Sequence, residues 1–189
     1  MKKSRFISLV LSIALVLSLS AFSAGAVESE IVSSMSVQAK AALLVDMDTD
    51  YIMFEQNAYE RAYPASITKV MTAMLAIEAV DRGELSLNDV ITVGSEVNRE
   101  VGDGSSTQNI KEGEQIRLED VLYCALTASA NEACNVLAQA VSGSVDDFVA
   151  LMNQRAGELG MEDTHFANTH GYHNEGHYTT AYDLSLIHI

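Results

Sequence analysis

Tyr63-Pro64-Ala65-Ser66-Ile67-Thr68-Lys69-Val70-Met71-Thr72-Ala73 is the stretch on which the reading of this chain turns. Val70, Met71, Met74, Leu75, Ala79 and Val80 recur at spacings of one, three and four. That pattern predicts a helix with a broad buried face, beginning just after Pro64 and ending at Gly83. A spacing of three puts Ser66 and Lys69 on one face, one turn apart. A serine hydroxyl is a poor nucleophile until a base takes its proton. A lysine is such a base only when neutral, so its site must lower its pKa by burial or by nearby cations. The helix N-terminus adds N–H groups and partial positive charge that suit a developing oxyanion. As a bare tetrad the pattern is weak, because a capped helix with a solvent lysine gives it too.

Upstream, Ala41 to Met47 and Tyr51 to Glu55 are strand-length apolar runs joined by Asp48-Thr49-Asp50, which predicts a β-hairpin. Downstream, residues 84–117 are mixed and loop-rich, punctuated by Gly94, Gly102, Gly104 and Gly113. A second helical stretch begins near Leu118 and carries Val121, Leu122, Leu126, Val136 and Leu137, with Asn131 as a possible interruption. Ser144-Val145-Asp146-Asp147 resembles a capping box that opens a helix running through Leu159 and stopping at Gly160. Residues 163–178 are polar and histidine-rich, hence a loop, and Thr180 is placed to cap one more helix.

Two further groups bear on chemistry. Ser129-Ala130-Asn131, 63 residues beyond Ser66, offers a hydroxyl and an amide at a break between helical stretches. Such a pair can relay a proton and hold a substrate amide, although Ser and Asn are also common in turns. His165, His170, His173 and His177, with Glu175 among them, invite a metal. Their spacing puts them on a polar loop rather than one helix face, so loop hydrogen bonding is the expectation, with no metal and no cofactor.

The first 26 residues differ from the rest. Lys2, Lys3 and Arg5 precede an apolar run from Phe6 to Phe22, and Ala24-Gly25-Ala26 supplies a small-residue cleavage pattern. This is the design of a secretory signal peptide cut after Ala26; an uncleaved anchor is the alternative. Either way the remainder is expected outside the cytoplasm, at the periplasmic or extracellular face of the membrane or in the cell wall. Removing the leader leaves 8 Lys+Arg against 26 Asp+Glu, a net charge of −18. Such a field repels phosphate backbones and argues against nucleic acid. Export permits a disulfide, but Cys124 and Cys134 lie ten residues apart, about 15 Å along one straight helix. Small buried apolar residues are the expectation for both.

Taken jointly and in order, four segments carry a resemblance. They are Ala42 to Asn57; Tyr63 to Ala73; Asp120-Val121-Leu122-Tyr123 with Ser129-Ala130-Asn131-Glu132-Ala133; and Asn168-Thr169-His170-Gly171 with Gly176 to Leu184. Over about residues 38–186 the chain resembles the low-molecular-mass penicillin-binding proteins, serine-type D-alanyl-D-alanine carboxypeptidases. The resemblance implies an α/β (α+β) transpeptidase-like fold, with helices on an antiparallel sheet, of which only the first two strands and the helical region are expected here. It implies residues 1–26 as leader, 27–38 as a flexible lead-in and 39–189 as a partial catalytic domain. Ser66 would be the acylated nucleophile, Lys69 its base, Ser129 a relay and Asn131 a substrate-positioning residue. The implied partners are a peptidoglycan stem peptide ending in D-Ala-D-Ala and β-lactam antibiotics as covalent inhibitors.

Three departures qualify it. The Lys-Thr-Gly triplet of the family does not occur in this chain, Asp50-Tyr51 stands where the family turns with glycine, and Leu186-Ile187-His188-Ile189 departs from the family pattern. The expectation is a truncated chain, inactive as a fragment, with any C-terminal membrane anchor missing. The alternatives are a non-catalytic module that binds penicillin or cell-wall peptides, and a β-lactamase. The latter is disfavoured by Ala130, where class A β-lactamases carry Asp.

Overall fold

Two small antiparallel sheets and five α-helices are found among the described residues, 36–187, of a computed structural model. They divide into two compact units, one ending at Asn57 and the other beginning at Ala58. The expected leader, residues 27–35 of the lead-in, and His188-Ile189 lie outside the described residues.

The first unit contains the predicted hairpin, with β1 at Ala42–Asp46 and β2 at Tyr51–Gln56. Ala42 pairs with Gln56 and Asp46 with Tyr51; a bulge between Leu44 and Val45 shifts the register. The Asp46 carboxylate closes the turn by accepting from the N–H groups of Asp48 and Thr49, both at 3.0 Å. Asp50 has φ of 56°, the left-handed region in which glycine is favoured and Asp is tolerated. The turn therefore keeps a glycine-like backbone without the glycine.

In the second unit a 3₁₀ turn, Ala65–Ile67, leads into α1, Thr68–Asp81. The break foreseen at Asn131 is real: α2 spans Leu118–Thr127 and α3 spans Asn131–Ser142. Helices α4, Val145–Leu159, and α5, Ala181–Ser185, follow. The limit of two strands needs correction. Within 84–117, β3 (Val90–Thr92) pairs antiparallel with β4 (Gln115–Arg117), the two flanking a 3₁₀ turn at Ser95–Asn98. Three residues are too few for a readable alternation, so the pattern could not announce them.

The helix α1 is buried on nearly every side rather than on one broad face, which makes it a core helix. Ala73 and Ala76 face a cluster built with Leu118 and Val121 of α2 and Val136 and Leu137 of α3. Met71, Met74 and Leu75 join a second cluster with Phe148 and Met152 of α4 and with Phe166. Arg155 on α4 also reaches Glu78 on α1 at 2.8 Å. Cys124 and Cys134 fall on different helices, and both are free thiols.

The start of α4 is capped as its sequence foretold. Ser144 Oγ accepts from the Asp147 N–H at 3.1 Å, and Gly160 ends the helix at φ of 79°. Phe148, fully buried one turn on, anchors the helix to α1. Phe148→Ala should cost about 3–5 kcal/mol, against about 1 kcal/mol for Ser144→Ala. Equilibrium denaturation of the two variants checks that ranking.

Candidate active site

Ser66 lies in the 3₁₀ turn, and Lys69 is the second residue of α1. In 3₁₀ winding, side chains three apart eclipse one another. Lys69 Nζ accordingly donates to Ser66 Oγ at 3.1 Å. The two differ in surroundings: Ser66 is exposed, whereas Lys69 is 3% exposed. Burial pushes the Lys69 amine below the ordinary lysine range, partly opposed by Cys134 and then by Glu132. This is the condition under which a lysine holds a neutral, proton-accepting form.

Ser129 approaches from the break between α2 and α3, and its Oγ lies 3.1 Å from Ser66 Oγ. Its backbone is left-handed, φ 56°, and so is that of Ala65, φ 47°. Non-glycine residues reach that region at a cost of about 1–3 kcal/mol, and such positions concentrate at functional sites. Neighbouring bonds hold the break: the Ala130 N–H donates to the Cys124 carbonyl and the Asn131 N–H to the Ser106 carbonyl. Asn131 opens α3 and is buried; among the described residues its side chain makes no hydrogen bond to Ser66, Lys69 or Ser129. Three of the four expected residues thus meet, and the fourth stands two residues from the third.

Sequence reading did not anticipate how much of the 163–178 loop is buried. His170 is 1% exposed and His177 2% exposed. The His170 carbonyl accepts from Lys69 Nζ at 3.0 Å. The Thr169 carbonyl accepts from Thr72 Oγ1 at 2.6 Å, and Thr169 Oγ1 donates to Asn135 Oδ1 at 2.7 Å. His177 Nδ1 accepts from the Ala167 N–H, which leaves Nε2–H to donate to Thr68 Oγ1 at 2.7 Å. One signal was available: Thr68, Lys69 and Thr72 form a polar line among the apolar residues of the first half of the helix.

Gly171 is where the loop comes closest to the 3₁₀ turn. It has φ of 84°, and a Cβ there would lie 1.8 Å from the Ala65 carbonyl oxygen. Beside this contact a cavity of about 70 Å³ is lined by Tyr63, Ala65, Gly171, Tyr172 and His177. The remaining histidines have separate tasks. His165 Nδ1 lies 2.6 Å from the Gly176 carbonyl, and His173 meets the Tyr63 ring edge-on at 4.7 Å. Among the described residues, no group of three or more His, Cys, Asp or Glu is placed to share a metal ion.

Two outcomes follow. Burial lowers the pKa of both His170 and His177 to about 4, from an ordinary value of 6.5. Between those values the unfolded chain takes up protons that the folded chain refuses, so stability declines as pH falls from about 6.5 towards 4. Denaturation midpoints across that window should show the slope, and His177→Gln should flatten it. Gly171→Ala should destabilise the protein by more than the roughly 1–2 kcal/mol of its backbone alone, because Ala65 must also move; thermal melting measures this.

Comparison with known proteins places this geometry in a family. A family model described as D-alanyl-D-alanine carboxypeptidase, peptidase S11, matches residues 28–189. The chain is 36% identical over 155 residues to D-alanyl-D-alanine carboxypeptidase DacF of Bacillus subtilis, covering 82% of this chain and 39% of that protein. Its structure is similar to that of the D-alanyl-D-alanine carboxypeptidase DacD from Francisella tularensis. That match has a TM-score of 0.77 and 31% identity, over 82% of this chain and 37% of the other. It is also similar to penicillin-binding protein D2 from Listeria monocytogenes in its ampicillin-bound form, with a TM-score of 0.69, 31% identity and coverage of 82% and 61%. The fold is that of the penicillin-binding proteins, and the chain spans about two fifths of the curated relative's length. The chain belongs to the D-alanyl-D-alanine carboxypeptidase family, peptidase S11.

Proposed function

We propose that this chain carries the acylation machinery of a serine-type D-alanyl-D-alanine carboxypeptidase. The observation that supports it most is a single exposed hydroxyl, Ser66 Oγ, within 3.1 Å of both a buried lysine amine and the Ser129 hydroxyl. In this reading neutral Lys69 takes the Ser66 proton as Oγ attacks the carbonyl carbon between the two terminal D-alanines of a peptidoglycan stem peptide. The peptide C–N bond breaks, and the proton passes by way of Ser129 to the departing amine. Water then attacks the Ser66 ester, releasing the shortened peptide and restoring the hydroxyl. Asn131, at the start of α3, would hold the substrate's amide.

β-Lactams would acylate the same oxygen, as the ampicillin-bound form of the Listeria relative supports. Residues 39–189 would form part of the catalytic domain, behind a leader at 1–26 and a lead-in at 27–38, and the protein would act outside the cytoplasm. No described helix is long and apolar enough to cross a membrane.

Incubation with penicillin followed by intact-mass measurement and peptide mapping tests the assignment. The adduct should sit on Ser66 and vanish in Ser66→Ala. Lys69→Met should slow labelling by roughly 10²- to 10⁴-fold, the range expected on losing a general base. In the unchanged protein the rate should climb with pH and level off below the ordinary lysine range, because burial depresses Lys69. Full labelling of Ser66→Ala would refute the reading.

A further inference from the structure

Glu132 lies one residue beyond Asn131 on α3 and is 1% exposed, with no basic residue among its hydrogen-bond partners. A carboxylate removed from water in that way is costly unless its oxygens are satisfied. One of them is. Glu132 Oε1 accepts from Thr107 Oγ1 at 2.5 Å, the Gln108 N–H at 2.6 Å and, more weakly, the Ile110 N–H at 3.4 Å. Three donors from one loop therefore converge on a single oxygen. Thr107 Oγ1 also accepts from the Asn109 N–H at 2.9 Å, so its own proton is committed to Glu132.

The second oxygen, Oε2, is buried without a hydrogen-bond partner among the described residues. The Asn131 N–H donates to the Ser106 carbonyl at 2.9 Å, so loop 106–110 is tied to the α2–α3 break at both ends of the Asn131-Glu132 step. The break is the same one that presents Ser129 to Ser66.

We infer that Glu132 is a positioning residue for the Ser66 site: its Oε1 clamps the 107–110 loop to the α2–α3 break that presents Ser129 to Ser66. This rests on the acylation reading for its purpose, but it does not require turnover.

The test is an NMR measurement on the full chain, with no substrate present. Amide exchange is read at Gln108 and Ile110 in the unchanged protein, in Glu132→Ala and in Glu132→Gln, which keeps an acceptor oxygen in place. It should rise by about tenfold or more in Glu132→Ala, the scale expected on losing bonds to a buried acceptor, and by less in Glu132→Gln, while Val136 and Leu137 stay protected. Thr107→Val, which removes one donor to Glu132 Oε1, should loosen the same loop, and it keeps the clamp testable if Glu132→Ala does not fold. Unchanged exchange at Gln108 and Ile110 in Glu132→Ala, or in Thr107→Val should Glu132→Ala not fold, overturns the clamp. Penicillin labelling, run separately, reports on the acylation reading itself, so the two can fail independently.

Discussion

The withdrawal of one primary amine from water organises this structure. Lys69 is placed at the head of a core helix, and its ammonium form is disfavoured there by burial. An amine so placed needs partners that do not restore its charge. It has a hydroxyl on one side, Ser66, and a backbone carbonyl on the other, His170. Both accept hydrogen bonds, and neither is an anion. The buried Glu132 carboxylate spends its directed bonds on a different loop.

Much of the second unit can be understood as support for that placement. The polar line on α1 is matched by the 168–177 segment, which offers a carbonyl to Thr72, a carbonyl to Lys69 and an imidazole to Thr68 in sequence. Asn168 braces the segment from within, its Oδ1 accepting from the Gly171 N–H at 2.7 Å and its amide donating to the Tyr172 carbonyl at 2.8 Å. Buried polar networks of this type favour a unique arrangement when each member is satisfied. Local strain is tolerated within them, as the left-handed backbones of Ala65 and Ser129 illustrate.

What could be read from the residues follows from the range of the interactions concerned. Helices α1 and α4 were legible because apolar spacing and Ser144 capping act within a turn or two. The hairpin was legible for the same reason. The pairing of β3 with β4 joins residues some 25 apart through strands of three residues, and no local pattern encodes it. Within the candidate site, spacing and resemblance pointed to Ser66, Lys69, Ser129 and Asn131, of which the first three meet. The role of His170 was hidden, because its contribution is a main-chain carbonyl, which any residue could provide. Polarity correctly marked 163–178 as irregular but gave no sign of burial, since the partners that pair with it come from a helix a hundred positions earlier.

The two hydrophobic clusters on either side of α1 are made of different stuff. The one towards α2 and α3 is built largely of Ala, Val, Leu and Cys, whereas Met71, Met74, Met152 and Met161 contribute much of the other. Thioether chains bend at three bonds and adapt to irregular gaps. The flank bearing Ser129 is thus stiff masonry, and the opposite flank is mortar. A change of side-chain volume in α4 can be taken up by those methionines, leaving the spacing between Ser66 and the α2–α3 break undisturbed.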